Sequence, residues 1–308
     1  MTHSICDVPG IKVGHVQDDL AKTGCTVVLP DVEATGGVDV RGSAPGTREI
    51  ELLKPVRLVQ KVHGILLAGG SAFGLNAAGG VQRFLEERGI GFQTSTAVIP
   101  LVPAAVIYDL DVGDPGGRPD AGMGYNACLA ARADEHREGV VGVGCGATVG
   151  KIAGQEKASP GGIGTCSLEL TGGIVVGVLT VVNALGEVVD PSNGKILAGI
   201  RDDKGGGFLP SLEIMKSIFT QSPFQSTNTT LAVVATNAAL TREQATKVAQ
   251  MAQDGLGRVI RPAHTMYDGD IVFVLSTGNE QADVNFIGAV ACELVVESIV
   301  RAVKAGKE

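Results

Sequence analysis

The stretch Gln221-Ser222-Pro223-Phe224-Gln225-Ser226-Thr227-Asn228-Thr229-Thr230-Leu231-Ala232-Val233-Val234-Ala235 changes character at its middle. Up to Thr227 it has no apolar period and carries a proline. Residues 231–235 are aliphatic without polar alternation, the pattern of a strand buried on both faces. Such a strand needs a covering layer on each side, so the expected architecture is layered α/β or α+β. The junction, Asn228-Thr229-Thr230, has two plain readings, a turn leading into a ladder or a glycosylation acceptor. It has a third. Were the Asn228–Thr229 bond cut, Thr229 would carry a hydroxyl and a free α-amine on one residue. An α-amine titrates near ~8, so that residue would be nucleophile and base at once.

Composition bounds the rest. The chain has 308 residues, 44% of them hydrophobic but only 4% aromatic and none Trp, so its core must be aliphatic. The net charge is −8 with no basic block, which argues against a nucleic-acid partner. The six cysteines (Cys6, Cys25, Cys128, Cys145, Cys166, Cys292) show no CxxC and no Cys/His pair at metal spacing, so neither metal nor cofactor is expected. The start lacks a basic n-region and an apolar h-region, and no apolar run is long enough to span a bilayer. The expectation is a cytoplasmic protein without membrane contact, which removes the glycosylation reading of Asn228.

Strand-like runs occupy residues 25–29, 62–68, 104–108, 140–143, 174–182, 231–235 and 271–275. Helices are expected over about 72–88, 125–136, from Thr241, and 283–304. The third opens on a capping box, Thr241-Arg242-Glu243-Gln244. The last is apolar nearly all round except for Glu293, Glu297, Arg301 and Lys304, so it lies against a sheet or a partner. One domain is expected, with a linker-like stretch over about 202–228.

Several clusters invite chemistry. Gly69-Gly70-Ser71-Ala72-Phe73-Gly74 has the strand–turn–helix outline of a nucleophile elbow, but Phe73 stands where G-x-S-x-G needs glycine, and Ser71 also fits a helix cap. The glycine-rich run ending Gly150-Lys151 fails the phosphate-loop test, with Cys145 and Ile152 at the deciding positions. That leaves Lys151 as a surface charge or a lysine aimed into a site. Asn183 ends an apolar run, either starting a turn or donating to an oxyanion. Asp270, after Asp268-Gly269, stands one residue from a buried strand and needs a cationic or ammonium partner. His264 is an outside candidate for a base.

In order along the chain stand Gly36-Gly37-Val38-Asp39-Val40-Arg41-Gly42, Pro45-Gly46-Thr47-Arg48-Glu49, Leu67-Ala68-Gly69-Gly70-Ser71-Ala72-Phe73-Gly74-Leu75, Gly144-Cys145-Gly146-Ala147-Thr148-Val149-Gly150-Lys151 and Asn228-Thr229-Thr230. With this series the chain resembles the L-aminopeptidase/D-esterase family of self-processing N-terminal-nucleophile hydrolases, which includes β-peptidyl aminopeptidases and the aminohexanoate-oligomer (nylon oligomer) endohydrolases. The resemblance implies a four-layer αββα sandwich, cleaved into residues 1–228 and 229–308 and commonly assembled as a homotetramer. It implies Thr229 as nucleophile, Asn228 as the residue before the cut, and Lys151 and Asn183 as polar partners. Tyr108 becomes a substrate-side or oxyanion residue, and Asp268 with Asp270 the acidic pair near the new amine. Aminopeptidase members carry Ser as nucleophile, with Ser and Glu in the downstream motif. Thr229, Asp268 and Asp270 match the oligomer-hydrolase branch, which turns expectation away from strict exo-aminopeptidase work. The expected activity is hydrolysis of small-molecule or peptide amides through an acyl-enzyme. The rivals are an exo-acting L-aminopeptidase/D-esterase or β-peptidyl aminopeptidase, an acyl transferase of the ornithine acetyltransferase type, a serine hydrolase built on Ser71, and a non-enzymatic binding protein.

Overall fold

The computed structural model describes residues 3–203, 205–218 and 228–307. Two sheets stack face to face. The first, in the order β1-β2-β6-β7-β4, takes β1 (Ile11–Asp18), β2 (Thr23–Pro30), β4 (Thr47–Arg48), β6 (Ile65–Ala68) and β7 (Ala104–Val106). The second, in the order β8-β9-β10-β11-β3-β5, takes β3 (Ala34–Val40), β5 (Lys61–Val62), β8 (Gly162–Glu169), β9 (Val175–Asn183), β10 (Thr229–Ala238) and β11 (Ile271–Glu280). Valine, isoleucine and leucine fill these strands because branched side chains pack well on a pleated surface.

Three aliphatic clusters define four layers. Val13, Val28, Leu67 and Ala105 of the first sheet meet Leu179, Val181, Leu231, Val233 and Phe273 of the second, forming the inter-sheet core. The outer face of the second sheet packs on α4 (Arg242–Val259) and α5 (Val284–Ala305). The outer face of the first packs on α1 (Ala77–Glu86) and α2 (Ala121–Leu129). The result is the αββα sandwich expected. β10 is central: it pairs antiparallel with β9 and parallel with β11, and all its residues but Asn237 are buried. Burying each of its valines and leucines contributes roughly 1.5–3 kcal/mol before chain entropy is charged.

Local signals explain most boundaries. α4 starts on the expected capping box, with Thr241 Oγ1 accepting from Gln244 N and Gln244 Oε1 accepting from Thr241 N. α5 lies against β8, β9 and α4, which accounts for its nearly unbroken apolar surface. Four expectations need correction. Residues 140–143 are not a strand: Gly142 at φ 54 turns the chain into a 3₁₀ segment, Gly142–Gly146. The helix expected over 125–136 is Ala121–Leu129, started by Asp120, whose carboxylate accepts from Met123 N. The helix expected from residue 72 opens as a 3₁₀ turn, Ser71–Asn76, before α1. Within the linker-like stretch a further helix forms, α3 (Ser211–Ile218), while Lys204 and residues 219–227 lie outside the described residues. The six cysteines are free, five of them buried. Among the described residues no helix is long and apolar enough to cross a membrane, and no group of His, Cys, Asp or Glu is arranged to hold a metal ion.

Candidate active site

Thr229 is the first residue of β10, and it and Asn228 are both buried. The Thr229 hydroxyl donates to the Asn228 carbonyl oxygen at 2.5 Å. With a C=O bond of about 1.23 Å, the carbonyl carbon stands no farther than about 3.7 Å from Oγ1. The same carbonyl oxygen accepts the Gly269 backbone N–H at 2.7 Å. Nucleophile and electrophilic donor therefore meet on one peptide group.

The loop between α4 and β11 is held against this bond. Asn228 forms an isolated parallel bridge with Asp268, and its N–H donates to the Tyr267 carbonyl at 2.8 Å. The segment after β3 clasps the loop from the other side: Arg41 and Gly42 N–H reach the Asp270 carbonyl, and Ala44 N–H reaches that of Asp268. A side chain at Gly42 would collide with Asp270 N at 2.2 Å, so only glycine permits the clasp.

Two carboxylates sit in this loop with different duties. Asp270 accepts the Thr230 N–H at 2.7 Å through Oδ1, and the His264 N–H and Nδ1 at 3.0 and 2.9 Å through Oδ2. Asp268 accepts the Thr265 N–H and hydroxyl at 2.8 and 2.6 Å. Burial, and then the negative charge of Asp270, push the Asp268 carboxyl up to about 6.

Asn183 ends β9 in direct register with Thr229. Its Oδ1 accepts Lys151 Nζ at 2.6 Å and Thr148 N at 3.0 Å, while its Nδ2 donates to the Tyr108 carbonyl at 3.0 Å. Lys151 is 5% exposed. Burial pulls its ammonium down to about 7, against the opposing pull of Asp268, Asp109 and Asp111. A lysine so placed is half neutral near pH 7 and able to accept a proton.

A cleft of about 200 Å³ opens onto Thr229, lined by Pro45, Gly46, Ser71, Val106, Tyr108 and neighbouring small residues. Its lining carries no ionised side chain. The Tyr108 hydroxyl turns away to donate to Asp111 at 3.0 Å, and burial raises its pKa.

The sequence-derived residues thus converge: Thr229, Asn228, Asn183, Lys151, Asp268, Asp270 and Tyr108 share one connected network. Their bonds also refine the expected roles. The donor seen on the carbonyl is Gly269 N–H, whereas Asn183 is engaged with Lys151, Thr148 and Tyr108. His264 is bonded to Asp270 and not to a hydroxyl. Ser71 sits at φ 54 on the cleft wall, but among the described residues its hydroxyl has no base as a hydrogen-bond partner. Sequence reasoning passed over Asp109, buried next to Tyr108, which accepts Thr23 Oγ1 at 2.7 Å and Gly70 N–H at 2.6 Å and so fixes the turn carrying Ser71. Its one signal was an acid set directly after an apolar strand.

The model of peptidase family S58 matches residues 3–308. The chain belongs to peptidase family S58. Membership brings the coarser functional statement, hydrolysis of peptide or amide bonds. This S58 peptidase is 48% identical over 291 residues to an uncharacterized aminopeptidase of Mycobacterium tuberculosis (strain ATCC 25618 / H37Rv), a match covering 90% of this chain and 82% of that protein. It is 28% identical over 313 residues to a 6-aminohexanoate-oligomer endohydrolase of Kocuria sp. (strain KY2), covering 97% of this chain and 85% of that one. The L-aminopeptidase D-Ala-esterase/amidase of Ochrobactrum anthropi, described as a variant of the Ntn hydrolase fold, superposes with a TM-score of 0.74 over 99% of this chain and 86% of its own. At 19% identity that likeness shows a shared fold.

Proposed function

We propose that this chain is the precursor of an N-terminal threonine amide hydrolase that cuts itself between Asn228 and Thr229. The observation that carries the proposal is the pair of contacts on the Asn228 carbonyl oxygen, Thr229 Oγ1 at 2.5 Å and Gly269 N–H at 2.7 Å. In the first step Oγ1 adds to the carbonyl carbon, and its proton passes to the neutral amine of Lys151. Gly269 N–H stabilises the developing oxyanion. The C–N bond breaks, the Thr229 nitrogen takes up a proton, and an ester joins Asn228 to Oγ1. Water then hydrolyses that ester, leaving a carboxylate on Asn228 and a free α-amine and hydroxyl on Thr229.

In the mature enzyme the α-amine takes the place of the general base. It removes the Oγ1 proton as the hydroxyl attacks a substrate amide and returns it to the leaving amine; water then releases the acyl group. Asp268 and Asp270 hold the start of β10 and offer the new ammonium a counter-charge. Asn183 and Tyr108 line the approach. The uncharged, small-residue lining of the cleft supports neutral acyl groups of modest size: peptides, amino-acid amides or esters, and ω-amino-acid oligomers. Residues 1–228 and 229–308 would stay joined through β10, which pairs with β9 and β11. A homotetramer in a cytoplasmic setting remains part of this proposal, with sedimentation velocity as its check.

The proposal is tested with Thr229→Ala and Ser71→Ala. Thr229→Ala is expected to fold and remain an uncut, inactive chain, while Ser71→Ala still cuts itself. Activity that survives in Thr229→Ala and disappears in Ser71→Ala would overturn it.

A further inference from the structure

We propose, resting on the self-cleavage above, that His264 is a positioning residue: its imidazole and its backbone N–H pin one oxygen of Asp270 so that the other stays on Thr230, next to the nucleophile. Three donors converge on that carboxylate. His264 Nδ1 and N–H reach Oδ2 at 2.9 and 3.0 Å, and Thr230 N–H reaches Oδ1 at 2.7 Å. The Asp270 side chain is only 3% exposed, so with the ring in place its charge is satisfied by protein donors. With the imidazole gone, Asp270 loses its side-chain donor and keeps only two backbone ones, Thr230 N–H on Oδ1 and the N–H of residue 264 on Oδ2, so it is freer to rotate away from Thr230 or to take up a proton. Either event loosens the first residues of β10, where Oγ1 must meet the carbonyl carbon.

Two further observations separate this role from simple packing. His264 sits at φ 57, a left-handed conformation that is costly for an L side chain and that glycine adopts freely. The backbone alone would therefore favour glycine at this position. Among the described residues the buried ring nitrogen Nε2 has no hydrogen-bond partner, so there Asp270 is the one polar side chain that fixes the imidazole. The side chain is retained at a local cost, and what it touches is the carboxylate beside the nucleophile. Asp268 belongs to the same loop but bonds to Thr265, so it cannot substitute.

The test compares His264→Gly and His264→Asn with the parent. Glycine relieves the backbone and removes the ring donor. Asparagine tolerates left-handed backbone and keeps a side-chain N–H at about the place of Nδ1. Expected are a melting temperature for His264→Gly equal to or above the parent's, self-cleavage and kcat lowered at least tenfold with KM little changed, and recovery of most of both rates in His264→Asn. Parent-like cleavage and turnover in His264→Gly would overturn the positioning role, as would an Asn variant that folds and is as slow as the Gly one. A parent that never cuts would overturn the self-cleavage proposal itself and this role with it.

Discussion

Placing a methyl group on Gly269 should block self-cleavage while leaving the sandwich folded. A Cβ at that position would stand 2.7 Å from Thr229 Oγ1 and 2.8 Å from the Ala44 carbonyl oxygen. Ordinary contact begins at 3.4 Å, so both gaps must open by about 0.6–0.7 Å. Ala44 has little freedom to yield, because its N–H is bonded to Asp268 O at 2.9 Å. The strain therefore falls on Gly269 and on the Thr229 side chain. Either the Gly269 N–H leaves the Asn228 oxygen or Oγ1 leaves the carbonyl. Loss of one oxyanion donor costs about 2.7–4 kcal/mol in the barrier, a rate reduction of roughly 10²–10³. The assay is refolding from denaturant with samples quenched at intervals and read by intact mass, with thermal unfolding as the control for fold. Cleavage of a folded Gly269→Ala variant within tenfold of the parent rate would refute the assignment of this N–H.

Other expectations follow from the same geometry. Lys151→Met should slow cleavage at least a hundredfold yet stabilise the folded precursor at pH 6. Between about pH 7 and the ordinary lysine value of 10.5 the unfolded chain holds a proton that folded Lys151 does not, so the parent's stability should rise with pH across that window and the advantage of methionine should shrink; chemical denaturation of an uncut Thr229→Ala background at several pH values reads this. The cleavage rate of the parent should climb with pH and level off above about 7, as the Lys151 amine becomes neutral; a rate that falls over pH 6–8 would contradict Lys151 as base. Thr229→Ser keeps the hydroxyl and should still cut, a result read on a denaturing gel. Phe273, fully buried between the sheets, should cost about 3–5 kcal/mol on truncation to alanine, measured by denaturant unfolding.

Much of this protein was legible in its sequence, and the reasons are local. Residues 231–235 and 271–275 announced buried strands because nothing polar interrupts them, and both lie at the centre of the second sheet. The α4 capping box was readable because it needs only residues three apart. Residues 140–143 misled because an apolar run that short carries no information about φ, and Gly142 decides the turn instead. The segments Ile11–Asp18, Ala34–Val40 and Gly162–Glu169 were passed over, since glycines and polar residues interrupt them and their pairing is with distant strands. In the site, Thr229, Lys151, Asn183, Asp268 and Asp270 came from motif order along the chain. Gly269 N–H, Asp109 and the His264–Asp270 pair did not: a backbone donor leaves no residue pattern, Asp109 meets Thr23 from a distant strand, and the His264–Asp270 contact depends on the left-handed turn at His264 rather than on spacing.

The most direct measurement is the intact mass of freshly folded protein beside its amide-hydrolysing activity. The account predicts two chains that together exceed the 308-residue precursor by one water, the smaller beginning at Thr229, with activity appearing as they form. An active enzyme that remains a single uncut chain would contradict it.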